Sequence, residues 1–126
     1  MSDDAKGTVK VADDVIAVTA AMAAAKIRGV ASLVGGMTDN ITKNILRMNI
    51  TKGVKVSRIE ETALVIDIFV NIYYGFRIPE VAWEIQENVK REVKEMTGEA
   101  AKAVNIHVQG VELERAAAQD KGEDIS

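Results

Sequence analysis

The residues best able to do chemistry here are a histidine, a carboxylate and a carboxamide set into alternating apolar runs. His107 is the one histidine of the chain, and Asp67 and Asn71 belong to an earlier run of period two. If the two runs pair, all three side chains project from the same outer face of a sheet. An imidazole beside a carboxylate could act as an acid–base pair or as two ligands of a metal. Two ligands are too few for most metal sites, and a solvated sheet face accounts for the same residues. The sequence therefore assigns no catalytic residue, no metal ligand and no cofactor.

Other motifs dissolve in the same way. Gly35-Gly36 invites a phosphate-loop reading, but no Gly-Lys-Ser/Thr follows, and a flexible turn explains the pair. Asn40-Ile41-Thr42 and Asn49-Ile50-Thr51 fit the glycosylation pattern but follow no secretory signal, so they read as chance matches. Glu84, Glu87, Lys90, Arg91, Lys94 and Glu95 mix signs at helical spacing, as a solubilising helix surface does.

The elements that would position His107 and Asp67 are read from period. From Gly53, Val54 and Val56 alternate into a strand, Glu60-Glu61-Thr62 turns, and a return strand runs from Ala63 to Tyr73. Its Leu64, Ile66, Ile68, Val70 and Ile72 share one face, which must be the core face: each is worth roughly 1.5–3 kcal/mol on burial. Gly75 and Pro79 lead into a long helix ending at Gly98, with Ile78, Val81, Ala82, Ile85, Val89, Val93 and Met96 as its apolar stripe and Trp83 on the solvent side. A strand from Val104 to Val108 follows, with a bulge or bend at Gly110. Strand, helix and strand of this length make a crossover unit with parallel strands.

Upstream, Thr8-Val9-Lys10-Val11 reads as a short strand and Asp13-Asp14 as the start of a first helix reaching about Arg28, with Gly29 as its stop. This helix has no polar face: Val15, Val18, Met22 and Ala25 line one side and Ala17, Ala20, Ala21 and Ala24 the other. Val30 to Met37 reads as a loop over the core and Asp39 to Leu46 as a short helical insertion. The predicted fold is α+β in the order β-α-β-β-α-β, one small mixed sheet with two main helices packed on one face. Residues 8–113 form a single domain between a flexible N-terminus, 1–7, and a flexible tail, 114–126.

Composition narrows the function classes. One domain of 126 residues can bury a core without staples, and the absence of cysteine excludes disulfides and thiolate metal sites. A net charge of -3 with interleaved signs argues against nucleic acid as the main partner. The acidic start lacks the basic and apolar regions of a secretory signal, and the apolar run from Val15 to Ala25 is about half the ~20 residues that span a bilayer. A cytoplasmic protein without direct membrane insertion is expected.

Two surfaces stand out as candidate interfaces. One is Ala17, Ala20, Ala21 and Ala24, whose small side chains would let a second backbone approach if that face looks outward. The other is Tyr73, Tyr74, Phe76 and Trp83 around the strand-to-helix corner, where aromatics could anchor a partner.

Tyr74-Gly75-x-x-Ile78-Pro79-Glu80-Val81-Ala82, Ile85-Gln86-Glu87-Asn88-Val89, Met96-Thr97-Gly98 and Val104-Asn105-Ile106-His107-Val108-Gln109-Gly110-Val111, with the earlier Lys52-Gly53-Val54-Lys55-Val56, resemble the alkaline shock protein family of Gram-positive bacteria, the envelope stress response proteins. The resemblance covers roughly residues 8–113. It implies a non-enzymatic, abundant cytoplasmic protein that self-associates into a homo-oligomer and meets the membrane through a membrane-anchored protein partner. It supplies no catalytic residues to carry over; Gly75, Pro79 and Gly98 are architectural in it. A nucleic-acid-binding module and a ligand-binding regulatory subunit are the alternatives. The first would need a basic, glycine-containing loop or exposed sheet aromatics, and only Phe69 and Tyr73 offer themselves, beside Asp67.

Overall fold

The computed structural model describes residues 7–34 and 53–113. Its elements are α1 (Asp13–Ala25), β1 (Val30–Leu33), β2 (Val54–Ile59), β3 (Ala63–Tyr73), α2 (Ile78–Thr97) and β4 (Ala101–Glu112). The expected first seven and last thirteen residues, Gly35-Gly36, the helix from Asp39 and both glycosylation patterns lie wholly or mostly outside the described residues.

The sheet hangs on β3. Its even-numbered side chains from Leu64 to Ile72 are buried, as the period-two pattern requires, while most odd-numbered ones are half exposed. β4 runs parallel along one edge of β3 for nearly its whole length, joined through α2, so the predicted crossover is present. β2 and β1 share the other edge, both antiparallel: β2 pairs with Ala63 to Ile68 and β1 with Val70 to Ile72. The Val34 N–H donates to the Phe69 carbonyl at 2.8 Å and the Phe69 N–H to the Gly53 carbonyl at 2.9 Å. The chain thus leaves and rejoins this edge at one residue, and β1 and β2 are two halves of one interrupted edge strand.

The class is α+β, with one mixed four-stranded sheet and two helices on its core face among the described residues. One strand is placed differently from the expectation. Thr8 to Val11 forms no strand, and Val9 is 91% exposed; the expected loop contributes β1 instead, with Val30 and Leu33 facing the core opposite Ile72 and Val70. Two valines in four residues bury too little to hold an edge that Val30 and Leu33, delivered by the turn at Gly29, already fill. Among the described residues the order is therefore α-β-β-β-α-β.

The alanine face of α1 also needs correction. Ala17, Ala20, Ala21 and Ala24 are buried, together with Ile16 and Ala23, whereas Val15 and Met22 are 45% and 50% exposed. The small side chains do permit close approach, but what approaches is this chain's own sheet and α2. At 100° per residue either apolar side of a helix without charges can face inward, and the narrow space between sheet and α2 selects the smaller one. This face is core and not a surface for a second copy.

α2 follows its predicted stripe through Val81, Ile85, Val89 and Val93, while Ile78 and Met96 at its ends are exposed. Pro79 sits in its first turn, and Gly75 and Gly98 take positive φ of 102° and 83° at its approach and exit.

Candidate functional site

The outer face of the sheet gathers polar side chains in rows set by register. Lys55, Asp67 and Asn105 stand in one row, Phe69 and His107 in the next, and Ser32, Asn71 and Gly110 in a third. Because β3 and β4 are parallel, His107 lies one step diagonally from Asp67. Its Nε2 is 2.9 Å from Asp67 Oδ1, and the Asn105 amide donates to the same oxygen at 3.1 Å. The imidazole stacks on the Phe69 ring, with centroids 4.5 Å apart and planes 13° from parallel. Hydrogen bonding to His107 holds the Asp67 carboxyl below its ordinary pKa, against the opposing effect of partial burial, with Asn105 and the Lys55 charge adding to the depression.

Asn71 does not join this pair. Its amide donates to Ser32 Oγ at 3.1 Å, and the Ser32 hydroxyl donates to Glu112 at 3.1 Å. The sequence reading missed Ser32 and Glu112 because it placed one in a loop and the other beyond the last strand. β4 shifts register between Val108 and Gly110, the bulge expected there, and this shift brings Glu112 opposite Tyr73.

Chemically, the Asp67–His107 pair can exchange a proton or accept a polar group, and Phe69 fixes the ring plane. Among the described residues no three His, Asp or Glu side chains converge as a metal cage requires.

The aromatic corner splits into covered and uncovered members. Phe76 is half buried: its ring lies under Gly29 and against Val81, with the Arg28 guanidinium 5.2 Å from the ring centroid. It folds back onto its own core. Tyr73 is half buried at the end of β3, whereas Tyr74 and Trp83 are 73% and 60% exposed. Between the helices, the buried Asn88 amide donates to the Ala23 carbonyl at 2.9 Å, and Lys26 bonds Glu92 at 2.9 Å. Asn88 borders the apolar stripe of α2, and nothing in the sequence marks it as the cap of another helix. Among the described residues no helix is long and apolar enough to cross a membrane.

Comparison with known proteins places this geometry in a family. Residues 1–113 match the model of the alkaline shock protein 23 family, described by a cell envelope-related function. The chain is 32% identical over 108 residues to the uncharacterized protein YqhY of Bacillus subtilis (strain 168), covering 86% of this chain and 79% of that protein. It is 34% identical over 109 residues to the uncharacterized protein YloU of the same organism, covering 85% and 90% respectively. Among solved structures, a variant MamM C-terminal domain shares 12% identity at a TM-score of 0.49, over 81% of this chain and 96% of that one; this likeness does not bear on function. The family match over residues 1–113, together with these two relatives, shows that the chain belongs to the alkaline shock protein 23 family of cell envelope-related function.

Proposed function

We propose that the protein is a non-enzymatic envelope stress response component acting as a self-associating interaction module, brought to the membrane by an anchored protein partner. The observation that carries this reading is the one-sided sheet. Both helices cover one face, and the other keeps half-exposed Phe69 and Ala103 among Lys55, Asp67, Asn105 and His107 with no covering element among the described residues, Val65 being buried between its neighbours there. Such a mixed apolar and polar surface, with Tyr74 and Trp83 exposed elsewhere, suits protein contacts.

The nucleic-acid reading is less well supported on this face. The stacking surface of Phe69 is already taken by His107, and Asp67 adds negative charge where a phosphate chain would run. Sedimentation over a concentration series tests the proposal, with a mass rising above the monomer as the expected result. Vesicles mixed with the purified protein alone should not retain it. A monomer at every concentration removes the self-association reading, and sub-micromolar binding of labelled RNA or DNA would replace it with the nucleic-acid one.

A further inference from the structure

Among the described residues β4 pairs on one edge only. The Val104 carbonyl points away from β3 to Gln86, so by the alternation of a regular parallel ladder Ile106 and Val108 also turn their N–H and C=O groups to the free edge, while Ala103, Asn105 and His107 turn theirs towards β3. The Val104 carbonyl is already satisfied, accepting from Gln86 Nε2 of α2 at 2.9 Å. That leaves the backbone groups of Ile106 and Val108, which stand symmetrically about His107. Register shifts at Lys102 and Gln109 bound the regular run on both sides.

We propose that this edge pairs with the same edge of a second copy, antiparallel about a two-fold axis at His107, so that two sheets become one. The inference rests on the self-association reading and names its surface. In this register Ile106 of each copy exchanges both backbone bonds with Val108 of the other, and the satisfied Val104 is not called upon. A parallel arrangement or a two-fold centred on Ile106 would lack this match; the latter would require Val104 to give up Gln86. Charge complementarity points to the same partner. The only charged residues of β4 are Lys102 near its start and Glu112 at its end, and the antiparallel register brings Lys102 of one copy near Glu112 of the other. Ile106 and Val108, half buried at the rim of the core, would be covered by their counterparts.

The test uses the full chain. In amide hydrogen exchange, Ile106 and Val108 should exchange slowly at concentrations where the protein sediments as an oligomer and at least tenfold faster on dilution to monomer, while Asn105 and His107 stay protected throughout. In the dimer the two His107 residues form a non-hydrogen-bonded pair with Cβ atoms about 4.5–5.5 Å apart. Because the natural chain has no cysteine, His107→Cys should give a disulfide-linked dimer under mild oxidation much faster than Lys90→Cys. An oligomer in which dilution leaves Ile106 and Val108 unchanged overturns the edge pairing while self-association stands. Protection of both amides in the dilute monomer also overturns it, since the edge would then be held within one chain, and a monomer at all concentrations overturns both readings. If His107→Cys does not fold, the exchange experiment on the unaltered protein decides.

Discussion

At Asp67 the depressed pKa has a pH consequence with a definite sign. The folded carboxylate is favoured over the unfolded one, so its contribution is fully present above the ordinary aspartate value of 3.8 and is lost as pH falls through the lower folded value. Asp67→Asn should cost about 1 kcal/mol at pH 7, and the gap from the parent should close as urea melts are moved below about pH 4. Backbone strain separates two glycines in the same manner. Gly98 has φ of 83° with open space where a Cβ would stand, so Gly98→Ala should cost about 1 kcal/mol from conformation alone. Gly29 has φ of 104°, and a Cβ there would come 2.9 Å from the Phe76 ring, so Gly29→Ala adds a displaced core aromatic worth about 1–3 kcal/mol more. Thermal melts of the two variants should rank them in that order, and equal losses would mean the ring moves freely. The positive φ at Gly98 was legible as a helix stop, but the ring beneath Gly29 was not, because it comes from a residue 47 positions later, 76 − 29.

Among elements, α1 shows most sharply where sequence periodicity ends. Its existence, its length to within a turn and its apolar character were all legible from the run between Asp14 and Lys26. Its orientation was not, since two apolar faces carry no sign of which is inward; only the packing of the sheet and α2 decides. Ala20→Glu and Ala24→Glu should therefore unfold the monomer by several kcal/mol, each burying an unpaired charge, whereas Met22→Glu on the half-exposed side should be tolerated. Circular dichroism with denaturant titration separates the cases, and a folded Ala20→Glu would contradict the packing described. β3 was legible nearly to the residue because its alternation has a buried and an exposed side. β1 was not, because its four residues gain strand character only from the open half of the β3 edge. The Asp67–His107 pair lay between these extremes: period placed both on one face, and the parallel crossover supplied the adjacency. Asn88 belongs with the hidden features, and Asn88→Ala should cost about 1–3 kcal/mol by leaving the Ala23 carbonyl unsatisfied.

Taken as a whole, the molecule is a sheet-and-helix layer closed differently at its two ends. At the Tyr73 end the closure is apolar, with Phe76 wedged under Gly29 and Arg28 over the ring. At the Ala63 end it is ionic: Arg58 of β2 bonds both carboxylate oxygens of Glu99, just after α2, and reaches Asp13 of α1 at 3.0 Å. Those pairs hold the Arg58 guanidinium still more firmly protonated than usual, Glu99 contributing most. Its members are partly solvated, with side chains 26%, 35% and 54% exposed for Arg58, Glu99 and Asp13, so the attraction is modest and screened by salt. Arg58→Ala should then cost about 1–2 kcal/mol in dilute buffer, most of it through the bidentate contact with Glu99, and visibly less in 1 M sodium chloride. Phe76→Ala removes half-buried apolar surface and should cost about 2–3 kcal/mol regardless of salt. Chemical denaturation of both variants in urea at two salt concentrations distinguishes the two closures. A salt-independent loss at Arg58 would show that its aliphatic stem, packed at the hairpin end, holds the layer together and that the charges are incidental.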